Sequence, residues 1–153
     1  MKAGVILLVE DSPKDEALTL RALKKAGITN EVVVMRDGAE ALDYLFCAGA
    51  FIDRHPDDLP TVVLMDLSLP KISGLEVVKR MRADNRTRLL PVVILTSSDE
   101  ERDRLEGYEV GANSYVRKPV EFGQFASAVT QLGVYWLMLN QPLPPRKQDV
   151  VAP

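Results

Sequence analysis

The chain has 153 residues, 46% of them apolar and 27% charged, with a formal net charge of −3; that fits one globular domain and leaves no broad basic surface for nucleic acid. The lone cysteine, Cys47, excludes an internal disulfide framework, and with His55 as the one histidine a zinc site of Cys and His ligands is excluded too. The apolar run Leu132–Leu139 is eight residues long, far short of the roughly 20 a membrane helix needs, and the first strand starts too early to leave room for a signal peptide, so a cytoplasmic protein off the membrane is expected.

Apolar, β-branched runs alternate with amphipathic ones along the chain. Strands are predicted at Ala3–Val9, Glu31–Arg36, Thr61–Met65, Val92–Thr96 and Ser114–Val116. The first, third and fourth are almost wholly apolar, as strands covered on both faces must be. The first helix follows Asp11-Ser12-Pro13, where an Asp or Ser cap precedes a proline in the first turn. The second spans roughly Gly38 to Ala48, and the third starts near Ser73 with Leu75, Val78 and Met81 at helical spacing. The fourth starts near Ser98, with Asp99, Glu100 and Glu101 complementing its dipole, and the fifth runs from about Val120 to Leu139. Five βα units with short right-handed crossovers make an α/β domain over residues 1–139, a doubly wound parallel sheet in the flavodoxin-like order 2-1-3-4-5. Gly49–Pro60 is a longer loop than such connections use. Residues 140–153 read as a Pro-rich, mobile tail.

Ligands of an open α/β sheet gather at the carboxyl ends of its strands. Those ends carry Glu10 and Asp11, then Asp66, Thr96 and Lys118. Two like charges 4 Å apart at an effective dielectric near 20 repel by roughly 4 kcal/mol, and a single lysine offsets only part of that for three acids. A divalent cation resolves the conflict, and hard oxygen ligands in a partly hydrated site suit Mg²⁺. Asp66, on the central strand, is placed both to bind the metal and to act as a carboxylate nucleophile toward phosphorus, with Lys118 and Thr96 neutralising and donating to the phosphoryl oxygens. Three other readings stay open. A flavodoxin-like cofactor binder needs a phosphate cradle after strand one, where the acids would repel phosphate. A haloacid-dehalogenase-type phosphatase wants an acid two residues beyond the nucleophile, where Ser68 stands. The third is an interaction module that works without phosphate.

Taken together, VEDS, VVLMDLSLPKISG, ILTSS and YVRKP resemble the response-regulator receiver domain of two-component signalling across residues 3–139. The resemblance implies that Asp66 accepts phosphate from a sensor histidine kinase, the chain catalysing only its own phosphorylation and dephosphorylation. It implies Mg²⁺ held by Asp11, Asp66 and the Ser68 backbone carbonyl, with Glu10 acting through water. Thr96 and Lys118 would bind the phosphoryl group, and Tyr115 would be the aromatic that turns inward as the Thr96 hydroxyl moves. Ser97 fits the small position after the threonine, Ser68 and Ser98 match positions that tune hydrolysis, and the Lys118–Pro119 bond would be cis. The long Gly49–Pro60 loop and the ending YWLMLNQPLPP resemble the single-domain receivers paired with phytochromes.

The fourteen residues after Leu139 are too few for a DNA-binding module, so the signal is expected to leave through a surface. On the fifth helix Phe122, Phe125, Val129, Leu132 and Trp136 share the face toward the sheet. Val134, Tyr135, Leu137 and Met138 fall elsewhere, and they are assigned to a homodimer interface shared with the fourth helix and strand five. The competing expectation is that the tail folds back over them. His55 and Cys47 receive no site assignment.

Overall fold

The structure is a computed structural model, and it describes residues 4–97, 100–118 and 122–144. Its elements are β1 (Ile6–Val9), α1 (Pro13–Lys25), β2 (Val32–Met35), α2 (Gly38–Phe46), a 3₁₀ turn (Gly49–Phe51), β3 (Val62–Met65), α3 (Gly74–Ala83), β4 (Val92–Thr96), α4 (Glu101–Glu109), β5 (Ser114–Arg117), α5 (Phe122–Val134) and a π-helical turn (Tyr135–Leu139). All strand pairs are parallel and the sheet order is β2-β1-β3-β4-β5. This is the doubly wound α/β architecture expected from the sequence.

Period-two alternation divides the core between the two faces of the sheet. Leu7, Val9, Val63 and Met65 pack with Leu45, Val77, Val78 and Met81 of α2 and α3. Ile6, Leu8, Val62, Leu64, Val93 and Leu95 pack with Leu23, Phe125 and Val129 of α1 and α5. Every residue of β1, β3 and β4 is buried, and full burial of one such side chain contributes about 1.5–3 kcal/mol. The three central strands are thereby fixed, and with them the edge where they end.

Three helices start on side-chain caps that the sequence encodes. Ser12 Oγ accepts from Asp15 N at 3.2 Å with Pro13 next in line, Asp37 Oδ1 accepts from Glu40 N at 2.7 Å, and Ser73 Oγ accepts from Glu76 N at 3.2 Å. Each satisfies an orphan N–H of a helix start. At α4 the N-cap residue is Glu100, without a side-chain cap bond, and the one buried residue of the helix is Gly107. The predicted start near Ser98 and Asp99 lies outside the described residues, as does the predicted start of α5 at Val120.

Three further features were not foreseen. β1 begins at Ile6 rather than Ala3 among the described residues, and Gly4 lies before it. The Gly49–Pro60 loop is folded around Arg54, whose guanidinium stacks 3.6 Å from the centroid of the Tyr44 ring and donates to the carbonyls of Tyr44 and Asp58; Phe51 packs edge-on against the same ring at 5.3 Å. Arg82, near the end of α3, donates to the carbonyls of Gly111 (2.9 Å), Thr87 (3.3 Å) and Arg88 (3.0 Å) and to Asn113 Oδ1 (3.0 Å). Asn113 Oδ1 in turn accepts from Val92 N at 2.8 Å, so one guanidinium joins the ends of α3 and α4 to the start of β5.

Along α5 and the turn that follows it, Phe125 and Val129 are buried and Leu132 and Trp136 pack against the same core, as the helical spacing predicted; the side chain of Phe122 lies outside the description. Leu137 differs from expectation. It packs against this core beside Trp136 rather than pointing away with Met138. The cause is the π-helical turn, closed by Asn140 N donating to the Tyr135 carbonyl at 2.6 Å. A wider i→i+5 turn rotates each residue by less than 100°, which lets neighbouring residues share one face. Residues 141–144 follow without regular structure and are exposed, Leu143 among them.

Candidate functional site: an acidic cleft at the ends of β1, β3 and β4

Parallel packing of the central strands brings Glu10, Asp11, Asp66, Thr96 and Lys118 to one edge of the sheet. Glu10 N donates to the Met35 carbonyl (2.9 Å) and Asp66 N to the Val9 carbonyl (3.0 Å), continuing the ladders one residue past the strands. Glu10, Asp66, Thr96 and Lys118 are buried, while Asp11 is exposed at the rim. Carboxylate oxygens of Glu10, Asp11 and Asp66 all lie within 4.8 Å of one another.

The loop after Asp66 is shaped to hold it. Ser68 N donates to Asp66 Oδ1 at 3.3 Å, and Gly74 N donates to the Leu67 carbonyl at 3.1 Å. A Cβ on Gly74 would stand 2.2 Å from the Asp66 carbonyl oxygen, so α3 reaches this position only with glycine. Lys71 takes a left-handed φ of 66° in the same loop, and its ammonium pairs with Asp37 Oδ2 at 3.4 Å.

Lys118 crosses the cleft from the end of β5. Its Nζ donates to Glu10 Oε1 at 2.5 Å, Asp15 Oδ2 at 2.9 Å and Asp66 Oδ2 at 3.2 Å. Burial alone would lower its pKa, but hydrogen bonds with Glu10 and Asp15 and the charge of Asp66 outweigh that and raise it. Burial is also the largest influence on Asp66 and would raise its pKa; the Lys118 charge, with hydrogen bonds from Glu10, Ser68 N–H and Thr96, outweighs it, so the Asp66 carboxyl is held below its ordinary value. At Glu10 burial prevails. Assisted by Asp66 and opposed by Lys118, it lifts the Glu10 carboxyl from 4.5 to about 7.

One ammonium thus serves the cluster of Glu10, Asp11 and Asp66, and burial leaves a proton on Glu10. A hard divalent cation fits this donor set: carboxylate oxygens in range of one ion, and a charge deficit that a cation fills. Tyr115 lies nearby on β5 and packs with Leu67, Ile94 and Ala112 beneath α4. A Cβ on Gly107 would come 3.2 Å from its ring, so the glycine makes room for the tyrosine under the helix. Ser68 and Ser97 are exposed at the rim. Ser98 and the Lys118–Pro119 bond fall outside the described residues. Asp15 was missed by sequence reasoning. Its place in the first turn of α1 reads as a complement to the helix dipole, and only the tertiary fold brings Lys118 to it.

Residues 6–130 match the family model of the response regulator receiver domain. The chain belongs to this family, and its fold and acidic pocket are those of a receiver. It is 35% identical over 133 residues to the response regulator Rcp1 of Synechocystis sp. (strain ATCC 27184 / PCC 6803 / Kazusa), covering 87% of this chain and 88% of that protein. The Mn²⁺-bound form of Rcp1 aligns with a TM-score of 0.86 at 33% identity over 92% of this chain and 99% of that one. The phosphorylated cyanobacterial phytochrome response regulator RcpA gives a TM-score of 0.86 at 32% identity over 93% and 99%. The bacteriophytochrome response regulator AtBRR is 52% identical over 92% and 100%, with a TM-score of 0.72. Among the described residues no helix is long and apolar enough to cross a membrane.

Proposed function

We propose that the protein is a stand-alone cytoplasmic response regulator that takes a phosphoryl group on Asp66 from a sensor histidine kinase of the phytochrome type. The observation that carries this reading is Asp66 itself. It is buried at the end of the central strand, yet the Lys118 ammonium at 3.2 Å and the Ser68 N–H at 3.3 Å keep it ionised. A buried, unprotonated carboxylate is a nucleophile ready at neutral pH. Its oxygen attacks the phosphorus of a phosphohistidine, the P–N bond breaks, and the imidazole nitrogen leaves with the electron pair. Lys118 passes the hydrogen bond it gave Asp66 to a phosphoryl oxygen, and Thr96 donates from the end of β4. Asp11, Asp66 and the Ser68 carbonyl would hold Mg²⁺, with Glu10 acting through water, and the ion would supply charge neutralisation for the transferring group. Two relatives support the reading by what their structures hold: a Mn²⁺-bound Rcp1 and a phosphorylated RcpA.

The signal leaves through α4, β5 and the end of α5. Thr96 turns toward the new phosphoryl group, Tyr115 moves inward, and α4, pinned by few buried contacts, shifts with them. Leu105 and Tyr108 of α4 and Tyr135 and Met138 after α5 are exposed at 60%, 51%, 49% and 54%. Together with Val134 they form the homodimer surface. Val134→Asp with Met138→Asp keeps the fold and yields a monomer in sedimentation; an unchanged mass from a wild type already monomeric excludes the dimer.

The reading is tested by incubating the protein with Mg²⁺ and acetyl phosphate and weighing it intact. The expected result is a gain of one phosphoryl group, abolished in Asp66→Asn and by chelating Mg²⁺. A wild type that never gains this mass refutes it.

A further inference from the structure

We propose that Asp15 is a positioning residue of the cleft: it competes with the phosphoryl group for the Lys118 ammonium and thereby sets how tightly that group is held. This rests on the phosphorylation of Asp66 proposed above.

An ammonium has three protons and accepts nothing. Lys118 has all three committed, to Glu10 at 2.5 Å, Asp15 at 2.9 Å and Asp66 at 3.2 Å. A phosphoryl group on Asp66 inherits at most the proton that pointed at Asp66. Any second contact from Lys118 must be taken from Glu10 or Asp15. Glu10 is one of the three carboxylates that face a common cation position; Asp15 is not. Among the described residues its carboxylate reaches the site through Lys118, and it draws the ammonium toward α1.

Asp15 is also a fixed post. Its backbone N–H is held by Ser12 Oγ at 3.2 Å, and its carbonyl accepts from the buried Thr19 hydroxyl at 2.7 Å. Neither bond uses the carboxylate, so replacing that group alone leaves the start of α1 intact. The Asp15 side chain is 26% exposed against 6% for Lys118, so water replaces Lys118 around Asp15 more readily than around its buried partners.

The electrostatics carry opposite signs for the two ligands of the cleft. Removing the Asp15 charge leaves Lys118 less neutralised. A cation is then held more weakly and a phosphoryl-like anion more tightly. A purely structural contribution from Asp15 would weaken both together.

The test uses the full chain and two titrations followed by calorimetry: Mg²⁺ alone, and beryllofluoride, a non-covalent stand-in for the phosphoryl group, at saturating Mg²⁺. Asp15→Asn is expected to bind beryllofluoride about fivefold more tightly and Mg²⁺ alone more weakly, with a thermal melt verifying the fold. Asp15→Glu, which restores the carboxylate, returns both affinities toward wild type. If Asp15→Asn leaves both affinities unchanged, or weakens both, the inference is overturned while the proposed function stands. If the wild type binds no beryllofluoride at saturating Mg²⁺, the phosphoryl-acceptor reading falls and this inference falls with it.

Discussion

α3 and α4 flank the same cleft, yet they are anchored very differently. α3 begins on a Ser73 cap, buries Gly74, Val77, Val78 and Met81, and presses its first residue against the Asp66 backbone. α4 has no side-chain cap and buries only Gly107. The acceptor thus sits on the rigid half of the domain, and the half beside Thr96 and Tyr115 is held by little. A helix with few buried contacts sits at the low end of local stability, so a change at Thr96 moves α4 at small cost while Asp66 keeps its geometry.

Charge gives the largest expected effect on this contrast. In metal-free protein Glu10 keeps its proton to about pH 7, against an ordinary 4.5. Between those values the unfolded chain has released a proton that the folded chain retains, so stability falls as pH rises, by about 3 kcal/mol across the window. The displaced values of Asp66 and Lys118 act outside it, below 3.8 and above 10.5 respectively. Urea melts at pH 5 and pH 8 in a chelator should show the loss, and Mg²⁺ should restore stability at pH 8 by favouring the ionised cluster.

Backbone crowding comes next. Gly74→Ala drives a methyl against the Asp66 carbonyl oxygen, which is 2.2 Å from the ideal Cβ position, and should cost about 2 kcal/mol in denaturant unfolding. Ser73→Ala removes the α3 cap and should cost about 1 kcal/mol. On the loose half, Gly107→Ala places a methyl whose nearest atoms are side-chain rather than backbone atoms, the Cδ1 end of Ile94 at 2.9 Å and the edge of the Tyr115 ring at 3.2 Å. Its gain in helix propensity, about 1 kcal/mol, offsets that contact, and stability should stay within about 0.5 kcal/mol of wild type. A Gly107→Ala loss as large as that of Gly74→Ala would erase the distinction between the halves.

The strands and helix starts were legible because their signals are local: apolar runs for β1, β3 and β4, and Ser12-Pro13 and Ser73 for the caps. The cleft was legible because parallel topology carries every strand's carboxyl end to one edge, so adjacency of Glu10, Asp66, Thr96 and Lys118 follows from connectivity alone. What stayed hidden depends on long side chains reaching across the fold. Nothing near Asp15 in sequence announces Lys118, 103 residues away. The reach of Arg54 over Tyr44 and of Arg82 to Asn113 is likewise invisible to periodicity. Leu137 was misplaced because one π-helical turn broke the 100° rule on which its position had been reckoned.

Arg82 has one more consequence. Among the described residues its hydrogen-bond acceptors are all neutral oxygens, and burial lowers its pKa with no carboxylate partner to offset it. Bonds from a guanidinium to carbonyls have no paired charge for dissolved ions to screen and no acid to protonate. The seam between α3 and β5 should therefore keep its geometry in brine and in mild acid, conditions that retune the cleft a few residues away.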